Sequence, residues 1–240
     1  MDPAYGARYR ELHARHWWWR ARERVVVHEL ERLRPPGGWS RILDVGCGDG
    51  LFFGVLRRYG KRVEGVEPDA ALVSAGGGRE EVIHIQPFDT DFAPDRRYGL
   101  ILFLDVLEHM PDPAAAVSHA ASLLEPGGVV LVTVPAFRHL WTTHDDLNHH
   151  LTRYTRRQLE TILSGPLTVE KIRYFFRWVY PAKLLVRASE AVRRPRPAPP
   201  TLPRAPLNRA LYGLSRLDEA LLGRIPLPIG SSLLAVARRV

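Results

Sequence analysis

The run Asp44-Val45-Gly46-Cys47-Gly48-Asp49-Gly50 places three glycines at alternate positions directly after the apolar residues Ile42 and Leu43. Glycine lets a chain turn sharply there and lets its backbone approach a ligand, because a β-carbon would stand in the way. Ile42 to Val45 read as the end of a buried strand and Leu51–Tyr59 as a helix, so N–H groups at the helix start would face whatever the loop holds. A glycine loop alone is a weak signal; the strand–loop–helix setting strengthens it. Glu67 closes the next apolar run, Val63-Glu64-Gly65-Val66-Glu67. An acid at that strand end can accept hydrogen bonds from both hydroxyls of an unphosphorylated ribose, at about 1.5–3 kcal/mol each. The alternative, a surface carboxylate after a strand, does not explain its distance from the loop.

A second group of reactive side chains comes later. His139, His144, His149 and His150 crowd together with Asp145 and Asp146 between them. Imidazole and carboxylate suit zinc or another divalent ion, but the spacing fits no zinc template and no cysteine contributes, so no metal is assigned. The segment follows the fifth expected strand, where open α/β sheets bind their ligands. His144, His149, Arg153 and Tyr154 are therefore candidates for touching an acceptor or taking its proton; a polar surface loop is the competing reading. His109 stands at a helix start beside the fourth strand's end and joins the same list. Trp17-Trp18-Trp19 cannot all face inward from one helix, because neighbours lie ~100° apart at 3.6 residues per turn. At least one is expected to cover the cleft.

Strands are expected near Arg41–Val45, Arg62–Val66, Val82–Gln86, Gly99–Leu104, Val129–Val134, Leu167–Phe176 and Ser231–Ala237, with helices at Arg10–Leu33, Leu51–Tyr59, Asp69–Ser74, Pro113–Leu124 and Thr155–Leu163. Alternating β and α elements predict an α/β fold, a doubly wound seven-stranded sheet whose last strand is antiparallel. Between the last two strands lies a long interruption containing Pro195, Pro197, Pro199, Pro200, Pro203 and Pro206 with apolar-periodic flanks, read as a helical insertion.

Taken together, Ile42–Gly50, Glu67, Leu104-Asp105-Val106-Leu107-Glu108-His109 and Leu124-Glu125-Pro126-Gly127-Gly128 resemble the signature set of class I S-adenosylmethionine-dependent methyltransferases, in the same order. His16–Arg22 and Asn148–Tyr154 are similar to a bacterial small-molecule or lipid-type branch of that family. The resemblance implies a Rossmann-like core with S-adenosyl-L-methionine as cofactor and S-adenosyl-L-homocysteine as product. It implies that Asp44, Gly46, Cys47, Gly48 and Gly50 line the methionine portion and that Glu67, with Pro68 beside it, holds the ribose. The Pro87-Phe88-Asp89-Thr90 turn would contact the adenine, with Asp89, or alternatively Asp91, accepting from its amine. Leu104, Asp105 and Val106 would pass beneath the sulfonium, with His109 at the mouth of the transfer site. The expected organisation is an N-terminal helical cap over the cleft (1–38), a core (39–176 and 230–240), and an acceptor-side lid (177–229).

Several readings compete. A nicotinamide oxidoreductase would use G-x-G-x-x-G, whereas this loop reads G-x-G-x-G, and it would leave the L-D-x-L-E-H and L-x-P-G-G pieces unexplained. A base methyltransferase would carry Asp/Asn-Pro-Pro-Tyr/Phe where Leu104–Leu107 stand, so a nucleic-acid partner is not expected. An RNA or protein methyltransferase and a non-catalytic cofactor-binding or membrane-associated module remain alternatives. The chain's net charge is +8, and residues 177–224 hold ten basic and three acidic residues, which is +7. A basic segment of that kind suits an anionic membrane surface or an acidic acceptor. One cysteine, an arginine-rich N-terminus without an apolar core, and no run near ~20 apolar residues predict a cytoplasmic protein with at most peripheral membrane contact.

Overall fold

The computed structural model describes residues 10–74 and 82–240; the first nine residues of the expected cap lie outside them. Strands β1 (Trp39–Val45), β2 (Gly60–Val66), β3 (Val82–His84), β4 (Tyr98–Leu104), β5 (Leu124–Pro135), β6 (Thr168–Phe175) and β7 (Ser232–Arg238) form one sheet in the order β3-β2-β1-β4-β5-β7-β6. The first five pair in parallel, and β7 slots between β5 and β6, antiparallel to both. Strand order reverses between β1 and β4, the position at which open sheets form a ligand crevice.

Side chains of the central strands alternate between two buried layers. Leu43, Val45, Ile101, Phe103, Val130 and Val132 face one side, under Val117 and Ala120 of a helix at Pro113–Leu123 and Leu159 of another at Arg156–Ser164. Ile42, Leu100, Leu102, Val129 and Leu131 face the other, under Val25, Val26 and Leu30 of helix α1 (Trp17–Leu33). Coverage on both faces explains why the strands read as continuous apolar runs.

Three local expectations change. The helix expected over Arg10–Leu33 breaks at His16, which is extended and whose Nδ1 accepts the Trp18 N–H at 3.2 Å, capping α1. The helix expected over Leu51–Tyr59 shrinks to Phe53–Leu56, flanked by turns; Gly54 inside it weakens helix formation by about 1 kcal/mol relative to alanine. The Glu125–Gly128 turn does not separate a helix from a later strand but forms a bulge within β5, with Gly127 at φ 74° donating to the Arg239 carbonyl.

The insertion contains two helices, α7 (Val179–Arg193) and α8 (Ala205–Leu222), numbered after the helices at Phe53–Leu56, Ala70–Ser74, Pro113–Leu123, Thr143–Leu147 and Arg156–Ser164 (α2 to α6).

Candidate active site

A cleft of about 1650 Å³ runs along the carboxyl ends of β1, β2, β4 and β5. A drug-sized ligand fills roughly 300–1,000 Å³, so the space holds two reactants side by side.

At one end the walls are loops. Gly46, Gly48 and Gly50 adopt φ values of 69°, 55° and 73°. A β-carbon at Gly46 would meet the Val106 side chain at 2.6 Å, whereas at Gly48 no protein atom lies within 4 Å. Gly46 is therefore needed for packing, and Gly48 leaves its space to the cleft. Glu67 fixes this loop: its Oε2 accepts the Gly48 N–H and its Oε1 the Asp69 N–H, both at 3.0 Å. A carboxylate offers about four acceptor positions, so two remain for a ligand. Burial pushes the Glu67 carboxyl up. Pro68, Asp89 and Thr90 continue the wall, and Asp89 Oδ1 caps its own turn by accepting the Asp91 N–H at 3.0 Å. Asp91 is not on the wall. Asp44 and Gly50 are buried just behind it, and burial pushes the Asp44 carboxyl up to about 7. Because α2 is short and starts three residues past Gly50, this end is walled by loop backbone rather than by a long helix terminus. The N–H groups of Gly46, Cys47, Gly48 and Gly50 are spent on Val66, Glu67 and Cys47 oxygens that hold the loop's shape.

Leu104, Asp105 and Val106 form the floor. Asp105 is left-handed (φ 57°), a conformation disfavoured outside glycine. It is held by Arg22 of α1, whose Nε lies 2.5 Å from Oδ2, and by Thr133 Oγ1, which donates to Oδ1 at 3.2 Å. This ion pair straps the N-terminal helix across the sheet edge, a role that only the fold makes visible. Trp17, Trp18 and Trp19 all touch the cleft; Trp19 is buried with Leu12, while Trp17 packs 5.2 Å from Trp178.

The other end is built from side chains of distant segments. His109, His144, His149 and Arg153 line it, with His150 and Lys183 beside them. Burial pushes His109 and His144 down to about 4, so both are neutral imidazoles at physiological pH. Asp145 organises the group. It accepts from Thr142 N at 2.9 Å, His150 Nδ1 at 2.9 Å and Arg153 Nη1 at 2.7 Å, and Lys183 Nζ lies 3.9 Å away. Burial pushes the Lys183 ammonium down to about 8. Tyr154 sits elsewhere: it is buried, and its hydroxyl donates to the Leu107 carbonyl at 2.8 Å, bracing the Leu107–His109 turn from behind. A ring already committed to a carbonyl in the core cannot also reach an acceptor.

Sequence spacing places His150 in the histidine cluster but not among the acceptor candidates, and it misses Lys183. His150 shares its ring edge with His109 at 4.8 Å between centroids, and Lys183 comes from α7, some forty residues downstream. Among the described residues, Glu108, His109 and His150 bring one candidate ligand atom each within 4.8 Å. Glu108 is wholly buried, and burial and then the Asp105 charge raise its carboxyl well above the usual range. A neutral acid there requires no cation.

A family model described as a methyltransferase domain matches residues 18–165, more than half of the chain, and leaves out of the cleft lining only Arg10, His16, Trp17, the insertion and the start of β7. The chain belongs to this methyltransferase family. The ubiquinone biosynthesis O-methyltransferase of Paracidovorax citrulli is 31% identical over 147 residues, which cover 54% of this chain and 60% of the relative. This methyltransferase domain thus spans about 60% of that relative's length. Among solved structures, the N-methyltransferase NodS of Bradyrhizobium japonicum in complex with S-adenosyl-L-homocysteine is 15% identical with a TM-score of 0.55, covering 91% of this chain and 87% of NodS. The 4+2 cyclase SpnF is 18% identical with a TM-score of 0.58, covering 90% and 80%. These likenesses establish a shared fold, which by itself hosts more than one reaction.

Proposed function

We propose that this chain is an S-adenosylmethionine-dependent methyltransferase acting by in-line displacement on a small-molecule, natural-product or lipid-type acceptor and releasing S-adenosyl-L-homocysteine. The observation that carries the reading is the coupling of glycine loop and acid: Gly48 donates to Glu67, and the space in front of Gly48 is open. In this reading Asp44, Gly46, Cys47, Gly48 and Gly50 shape the methionine end. Glu67 and Pro68 hold the ribose, and Asp89 and Thr90 meet the adenine. The family match supports it, and the O-methyltransferase relative makes hydroxyl-bearing acceptors the first to screen.

S-adenosylmethionine supplies a methyl on a sulfonium that is already an activated leaving group. The chain's own contribution is then chiefly alignment, and holding two reactants in a near-attack arrangement can supply ~7–11 kcal/mol. Leu104, Asp105 and Val106 form the floor under the transfer point, and His109, His144 and His149 face the acceptor. For an acceptor that keeps its proton at neutral pH, a neutral imidazole is in the correct state to take it, an effect of typically 10²–10⁴-fold. Tyr154 supports the Leu107–His109 turn. We place the protein in the cytoplasm; among the described residues no helix is long and apolar enough to cross a membrane.

Isothermal titration tests the cofactor half. The wild-type chain should bind S-adenosylmethionine, and Gly48→Val should abolish binding while lowering the thermal unfolding midpoint, since valine in the left-handed conformation costs roughly 1–2 kcal/mol, without unfolding the chain. A wild-type chain that takes up no cofactor would sink the reading. Product mass from an acceptor screen, beginning with phenols and amphiphilic phenols, then identifies the class.

A further inference from the structure

The insertion is built inside out. On α8 the polar side chains face the protein: Asn208 Oδ1 accepts the Trp17 N–H at 2.9 Å, Ser215 Oγ accepts from the Trp178 indole at 3.1 Å, Asp218 accepts the Arg177 N–H at 3.0 Å, and Glu219 pairs with Arg173 at 2.7 Å. The leucines face away. Leu207, Leu214, Leu217 and Leu221 are 54%, 42%, 53% and 64% exposed, and their spacing puts them on one stripe. On α7, Lys183 and Glu190 line the cleft, while Leu184, Leu185 and Val192 are exposed.

Charge is sorted in the same way. The three acids of the segment all point inward, Glu190 onto Thr143 and the other two as above. Arg193, Arg194, Arg196, Arg209, Arg216 and Arg224 are exposed, and none is ion-paired among the described residues. The outer face therefore offers leucine and guanidinium and no carboxylate.

We propose that this face docks on an anionic lipid bilayer, with the leucine stripe entering the interface and the arginines meeting the lipid phosphates. An amphipathic helix with a basic fringe binds membranes in this manner, and long arginine stems can lie along apolar surface with their heads in the phosphate layer. A second copy of the chain would bring one arginine fringe against another. A nucleic acid would leave the leucines unmatched, since single-strand platforms use aromatic rings. The role of the surface rests on the methyltransferase reading: α7 has one face on the cleft and the other on the membrane side, a separation of about one helix diameter, ~10–12 Å. Docking thus brings the acceptor end of the cleft to the bilayer, where an amphiphilic acceptor resides.

Co-sedimentation of the full chain with vesicles of phosphatidylcholine, alone or mixed with phosphatidylglycerol, tests the docking. Binding is expected to the mixed vesicles and not to the neutral ones, and to weaken as salt shortens the Debye length from ~10 Å toward ~3 Å. Removing one engaged arginine, as in Arg209→Gln or Arg216→Gln, should weaken binding about fivefold each. The pair Leu214→Asp with Leu217→Asp, on an exposed face, should abolish it. No binding to mixed vesicles overturns the proposal. So does binding that the leucine pair leaves unchanged, as a purely electrostatic or nucleic-acid-type surface would give, or a dimer that the leucine pair dissolves. Titration of every variant with S-adenosylmethionine reports separately on fold and cofactor site, so loss of cofactor binding in the wild type would count against the enzyme reading alone.

Discussion

The two ends of the cleft are made of different materials. The end at Gly46–Gly50, Glu67 and Asp89 is backbone: positive-φ glycines, turn N–H groups, and two carboxylates that pin those turns. The end at His109, His144, His150, Arg153 and Lys183 is side chain, gathered near one buried carboxylate, Asp145, from three separate segments. A ligand shared by a whole family can be gripped by local turn geometry. An acceptor that changes from enzyme to enzyme is met by long side chains from loops and insertions, which vary without disturbing the sheet.

The largest way to break this contrast is at Asp145. Asp145→Asn removes the charge that Arg153 and His150 both use, leaving the Arg153 guanidinium buried without its counter-ion. Destabilisation of about 3–5 kcal/mol is expected from chemical unfolding, as for other buried pairs that lose one partner. The pH dependence has a definite sign. Burial raises the Asp145 carboxyl, but the His150 hydrogen bond and then Lys183, Arg153 and Thr142 outweigh it and hold the group well below the usual carboxylate range. Its contribution is therefore complete above the unfolded value of about 3.9 and is lost as pH falls below that. Wild type should lose stability more steeply than Asp145→Asn on acidification below ~4; parallel curves would mean that Asp145 is not the organising charge. If the folded variant still binds S-adenosylmethionine normally, the two ends are independent.

Glu67→Ala probes the opposite end. It removes an acceptor for the ribose and also releases the Gly48 and Asp69 N–H groups. Cofactor affinity should fall by about 3–6 kcal/mol, the loss of two hydrogen bonds to a charged acceptor at about 1.5–3 kcal/mol each. Wild-type affinity in titration would show that the ligand lies elsewhere in the cleft.

The same contrast explains what could be read from the chain alone. Glycine spacing, an acid one strand later, and apolar runs of strand length are local patterns, so all seven strands and the loop end of the cleft were legible. The long-range contacts were not. Nothing near Lys183 in sequence announces that it reaches Asp145, and nothing near Arg22 announces Asp105. Tyr154 is expected at the acceptor because its segment follows the fifth strand's carboxyl end, but its register beside Ala136, through a bridge to the end of β5, turns its ring into the core. The expected helix after the glycine loop was overestimated because apolar spacing over Leu51–Tyr59 outweighed the glycine at position 54.

The smallest effects are expected from the histidines, and they sharpen the comparison most. His109, His144 and His149 line the acceptor end, and no hydrogen bond links any of them to the glycine loop or Glu67 among the described residues. Replacing each in turn with alanine should lower turnover by up to ~10²-fold, the low end for a single positioned acid or base, with S-adenosylmethionine affinity unchanged. Equal losses in turnover and cofactor affinity would instead assign them to the scaffold. Because burial holds His109 and His144 near 4, neither changes charge between pH 5 and 8, so neither should contribute an inflection near the ordinary histidine value of about 6.5. Burial brings Lys183 on this wall down to about 8, so a rise in activity through pH 8 that disappears in Lys183→Met would make the lysine, not an imidazole, the proton acceptor. Dialysis against EDTA should leave both turnover and cofactor binding intact. A chelator-sensitive rate with unchanged cofactor affinity would assign Glu108, His109 and His150 to a cation and displace the imidazoles from acid–base work.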